Sequence, residues 1–94
     1  MTSLELQALL QFRNFYLKDS NIVYSFTYNE VIKNAKTIGT YKLQGDSEPF
    51  QIVITLDSFE PVAFHIDVKE NPLLVSFTSL ATHELFMELT TELK

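Results

Sequence analysis

The chain has 94 residues, seven Lys and Arg against twelve Asp and Glu, a net charge of −5, two His and no Cys. A protein of 10.8 kDa can bury roughly 65% of the surface its unfolded chain exposes, enough for one hydrophobic core, so residues 1–94 are expected to form a single domain. Without Cys there is no disulfide framework, no thiolate nucleophile and no Cys-based zinc site. A pI near 4.8 lacks the basic field that neutralises the phosphates of double-stranded nucleic acid.

Residues 1–10 carry no cluster of positive charge before their apolar residues and no long apolar run, so neither a secretory signal nor a membrane span is expected, and the expected location is cytoplasmic. The charge is polarised. Residues 1–43 hold five basic side chains and three acidic ones, whereas residues 44–94 hold nine acidic ones against Lys69 and Lys94. A basic protein surface is the partner such a charge distribution suits.

Thr2-Ser3-Leu4-Glu5 has the form of a capping box, and the helix formers after it predict a helix from about Ser3 to Lys18, broken by Asp19-Ser20. Leu4, Ala8, Leu9, Phe12, Phe15 and Tyr16 spread over one broad face. Leu6, Leu10 and Leu17 form a second apolar arc, with Arg13 between the two, wider than a helix on a sheet needs. That arc is a candidate contact surface for a partner or a second copy of the chain.

From Asn21 the period becomes two: Ile22, Tyr24, Phe26 and Tyr28 alternate with Val23, Ser25 and Thr27, as in a half-buried strand. Residues 29–37 read as a turn or a short helical segment, with a hairpin turning at Lys33-Asn34 as the alternative. A strand follows at Ile38 to Gln44. Phe50, Ile52, Ile54 and Leu56 share one face of the next strand, and Val62, Phe64, Ile66 and Val68 share one face of the strand after it. Pairing Leu56 with Val62 sets Ile54 against Phe64, and a turn at Lys69–Pro72 returns Leu73–Phe77 with Ser76 beside His65.

Ser79 reads as the N-cap of a final helix over about Leu80 to Leu93, with Thr82, Leu85, Phe86, Leu89 and Leu93 inward and Glu84, Glu88 and Glu92 as an acidic row. The expected fold is therefore α+β: an antiparallel meander of four or five strands with the N-terminal and C-terminal helices packed on one face, a two-layer sandwich.

Catalytic signals are sparse. Gly39 and Gly45 cannot build a phosphate-binding loop. His65, Asp67 and Ser76 share an outer sheet face without a sheltered pocket or an oxyanion hole, and Asp57 and His83 have no metal-ligand spacing. No enzyme activity, metal or cofactor is expected. The leading expectation is a small acidic protein-interaction module (an inhibitor, immunity factor, chaperone or regulatory subunit) that uses Leu6, Leu10, Arg13, Leu17, Glu84, Glu88 and Glu92. The alternative is a ligand-binding domain with an aromatic cavity lined by residues such as Tyr24, Tyr41 and Phe64.

Overall fold

A computed structural model describes residues 2–11, 13–45, 50–70 and 73–91. Among the described residues a single helix, α1 (Ser3–Gln11), precedes eight strands: β1 (Asn14–Leu17), β2 (Val23–Phe26), β3 (Glu30–Lys33), β4 (Lys36–Gln44), β5 (Phe50–Leu56), β6 (Val62–Lys69), β7 (Leu74–Ser79) and β8 (Leu85–Thr90). Each strand pairs antiparallel with the next, and β8 pairs with β1, so the sheet closes into a barrel. The sandwich expected from the sequence is thus replaced by an eight-stranded up-and-down barrel with one short helix.

Both expected helices are cut back by this closure. Beyond Gln11 the first one gives way to β1, which bonds to β2 on one side and to β8 on the other. The second does not form: residues 85–90 are β8, paired with β7 and β1, and their inward residues are Met87 and Leu89, a period of two. Helix propensities of a few tenths of a kcal/mol per residue do not compete with pairing on both strand edges. Ser79 keeps a cap-like role, accepting through Oγ from the Thr82 N–H at 3.3 Å, but only one turn follows it.

Within β5 and β6 the alternating pattern assigned the inner face, whereas Tyr28, expected to continue the inner face of the earlier strand, lies beyond β2 and is 75% exposed, and Val62 at the start of β6 is 44% exposed. Phe50, Ile52, Ile54, Phe64 and Ile66 are buried inside the barrel. The register differs by two residues from the expected one: Ile54 pairs with Val62, Ile52 with Phe64, and Ile66 with Phe77. A slip of two preserves every face, so the pattern cannot detect it. Residues 29–37 form β3 and a hairpin turn at Asn34-Ala35, both at positive φ. The Asn34 side chain accepts from the Val23 N–H and its own N–H donates to the Val23 carbonyl.

The helix plugs one end. The Thr2-Glu5 capping box forms as expected, with the Thr2 N–H on Glu5 Oε1 at 3.0 Å and the Glu5 N–H on Thr2 Oγ1 at 3.2 Å. Leu6 and Leu10 are fully buried in the core, while Leu4 is 78% exposed and Ala8 is exposed. The arc assigned to a partner is therefore the inward one, and the expected inward face is turned outward around Leu4 and Ala8. Gln7 fixes this rotation by donating to the Tyr41 hydroxyl at 2.5 Å, and that hydroxyl donates to the Thr27 carbonyl at 2.6 Å. Phe26 packs edge-on between Phe15 and Tyr41 beneath the helix.

Candidate functional site: an apolar cavity at the open end of the barrel

The strands alternate in direction, so the β1–β2, β3–β4, β5–β6 and β7–β8 connections gather at the end opposite α1. There the interior is not filled. A cavity of about 370 Å³ opens between the β5–β6 and β7–β8 loops. Eight strands leave an interior that side chains either fill or share with one small ligand.

Its walls come from around the barrel. Tyr24 and Val31 line it from β2 and β3, Ile54 and Leu56 from β5, and Phe64 and Met87 from β6 and β8. Two further side chains reach it through irregular pairing. In β4, the partners of Val31 and Ile32 are Gly39 and Thr37, which leaves Ile38 as the extra residue of a bulge. In β8, the partners of Phe77 and Thr78 are Met87 and Leu85, which leaves Phe86 as the extra residue of a second bulge. Both extra residues line the cavity. A bulge re-aims a side chain, and here it adds apolar wall where strict alternation would have pointed these residues outward.

Gly39 makes the first bulge possible. A Cβ at this position would stand 2.7 Å from the Leu56 Cα on the adjacent strand. A glycine inside an alternating strand is a sequence signal for such an irregularity.

The mouth is aromatic. Phe86 lies against Phe64 with ring centroids 4.8 Å apart, and Phe64 meets Phe77 edge-on at 6.4 Å, so an aromatic column runs from the core to the opening. At the rim Phe59 is 72% exposed, Phe86 58% and Val62 44%. Polar groups are few: Glu60, Ser79 and Thr82 complete the lining beside the Tyr24 phenol, whose burial raises its pKa above 10.0. The two loops are tied down through backbone bonds, Asp57 N–H to the Ile38 carbonyl at 2.9 Å, Phe59 N–H to the Leu56 carbonyl at 3.0 Å, and Ser79 N–H to the Glu84 carbonyl at 2.9 Å.

The residues singled out from the sequence are not brought together. Leu6 and Leu10 lie in the core, and Leu17 packs against it from β1; Arg13 is exposed between α1 and β1. Because residues 80–91 are not a helix, the acidic row is dispersed. Glu84 sits exposed in the β7–β8 loop, Glu88 is on β8 with its Oε1 3.8 Å from Lys18 Nζ, and Glu92 lies outside the described residues. On the outer wall His65 pairs with Thr78 and Gln51, and Ser76 with Asp67, so Ser76 is not beside His65. Among the described residues no three His, Asp or Glu converge to hold a metal ion, and no helix is long and apolar enough to cross a membrane.

Of the three residues proposed for an aromatic cavity, Tyr24 and Phe64 do line it, whereas Tyr41 lies nearer the helix with its hydroxyl committed to Thr27 and Gln7. Sequence reasoning missed Ile38, Phe59, Val62 and Phe86 as wall and rim. Phe59 in a turn, followed by Glu60 and Pro61, was a readable signal; the bulge at Phe86 had none. Comparison of the chain with family models, with curated proteins and with solved structures finds no match.

Proposed function

We propose that this protein is a small-ligand binder that takes one apolar molecule, or the apolar part of an amphiphile, into the open end of its barrel. The carrying observation is the cavity of about 370 Å³, walled by aliphatic and aromatic side chains and open at the end opposite α1. Its size lies at the lower end of the range typical of small-molecule sites, about 300 to 1,000 Å³. At about 30 Å³ per non-hydrogen atom, the share one water takes in the liquid, it has room for roughly a dozen such atoms, and a larger molecule extends into the open mouth. Water in such a pocket finds few polar partners, so displacing it with hydrocarbon is favourable at about 25 cal/mol per Å² of apolar surface covered.

The test is titration with N-phenyl-1-naphthylamine, a neutral fluorophore that brightens in apolar surroundings. The expected result is saturable binding of one probe per chain, weakened by Val62→Trp at the mouth and by Ile38→Phe in the wall. A flat titration, or binding that both variants leave unchanged, would defeat this reading.

A second reading is favoured by the exposure of Phe59, Val62 and Phe86: an apolar segment of a partner protein seated on the same mouth. It preserves the interaction-module expectation but moves the contact away from the leucine arc, in which Leu6 and Leu10 are buried and Leu17 is partly buried. A partner of that kind would be displaced by the probe, and Val62→Trp would weaken both.

A further inference from the structure

Resting on the ligand-binding reading, we infer that the ligand is an amphiphile with a cationic head group, its hydrocarbon part inside the barrel and its positive charge at the mouth beside Glu60. Three observations converge on this polarity. Among the described residues, Glu60 is the one acidic or basic residue that lines the cavity. The two loops that flank the opening, residues 57–61 and 80–84, carry Asp57, Glu60 and Glu84 and contain neither Lys nor Arg. The rings of Phe59 and Phe86 stand at the same opening, where their faces can receive an ammonium. The lysines at this end of the barrel are Lys18 in the β1–β2 connection, 3.8 Å from the Glu88 carboxylate, and Lys33 and Lys36 of the β3–β4 hairpin; none of the three lines the cavity.

The physical sense of the arrangement is a division of labour along one axis. Hydrocarbon goes where no polar group needs it to leave, and the head stops where a carboxylate and the hydroxyl-bearing Ser79 and Thr82 meet water. An anionic head would meet the Glu60 carboxylate, on loops that also carry Asp57 and Glu84, and lose its hydration at an aromatic rim. At the edge of an apolar cavity a charge pair is screened less than in bulk water, so the sign of the head group should register in affinity.

The test measures displacement of N-phenyl-1-naphthylamine from the full chain by three ligands with the same tail, decyltrimethylammonium, decanol and decanoate, each below its micelle concentration at pH 7. The expected order is cation, neutral, anion, with the cation about tenfold tighter than the alcohol, in keeping with a partly desolvated cation–aromatic contact plus one carboxylate. Glu60→Gln, an isosteric change at an exposed position, should bring the cation down toward the alcohol, and added salt should do so in part. Displacement by all three ligands without preference for the cation, or a preference that survives Glu60→Gln, overturns the head-group assignment while leaving the apolar site in place. Displacement by none of them removes the ligand-binding reading and the head group with it.

Discussion

Ile38 and Phe86 stand four strands apart around the eight-stranded barrel, and each is the extra residue of a β-bulge that turns it into the same cavity. Two irregularities facing one another across a barrel lumen shape the site more than any motif in the chain. Phe86→Ala should therefore lower affinity for an apolar probe by about threefold to tenfold through lost ring contact. The ring is more than half exposed in the free protein, so the urea midpoint should hardly move. A large loss of stability with unchanged binding would show that the ring supports the fold and not the site.

Gly39 is the residue that lets Ile38 bulge inward. With a Cβ held 2.7 Å from the Leu56 backbone, Gly39→Ala must push β4 from β5 or abolish the bulge. The expected cost is about 1 to 3 kcal/mol in urea unfolding, with probe affinity lowered as well because Ile38 and Leu56 both line the cavity. Wild-type stability in this variant would mean that the strands separate there at no cost.

The plug at the helix end makes different demands on Leu4, Leu6 and Leu10. Leu6→Ala or Leu10→Ala should cost about 2 to 5 kcal/mol, since both side chains are fully buried, whereas Leu4→Ala should stay within about 0.5 kcal/mol. Comparable losses at Leu4 and Leu6 would place the helix in a different rotation.

Asn34 and Ala35 both hold positive φ in the β3–β4 turn, at 50° and 66°. Asn tolerates that conformation; Ala lacks any local bond to offset it, and glycine adopts it freely. Ala35→Gly should raise stability by about 0.5 to 1 kcal/mol, net of the glycine's greater freedom when unfolded, read as a higher urea midpoint. A drop in stability would show that Ala35 is not strained there.

Alkaline pH provides a further check. Burial raises the phenol pKa of both Tyr24 and Tyr41 above 10.0, and the bond from Gln7 opposes this in Tyr41 only in part. The folded state holds these protons after the unfolded chain has begun to lose them. Their contribution to stability is therefore fully present below about pH 10 and is lost as pH rises through the folded-state values. The urea midpoint should fall above pH 10, and the fall should be shallower in a Tyr24→Phe, Tyr41→Phe double variant. An equally steep fall in that variant would assign it to other groups.

The alternating residues of 50–56 and 62–68 determined by themselves which side chains face the interior, because a period of two is a property of any strand whatever it pairs with. The capping box was equally local: Thr2 and Glu5 satisfy each other three residues apart. Tyr24 and Phe64 were legible as cavity residues for the same reason, as aromatics on an inward face. Residues 14–17 and 85–90 were not legible as strands. Their helix-forming composition is a local bias, and it is overruled by hydrogen bonds between two segments about seventy residues apart, Tyr16 with Thr90 and Leu17 with Leu89. Only closure of the barrel creates those bonds, and closure also decided that Leu6 and Leu10 point inward and that Glu84 and Glu88 form no row. The two bulges follow from the same cause, since they occur where neighbouring strands must fit the curvature of a closed sheet, and register and curvature belong to pairs of strands and not to any one of them.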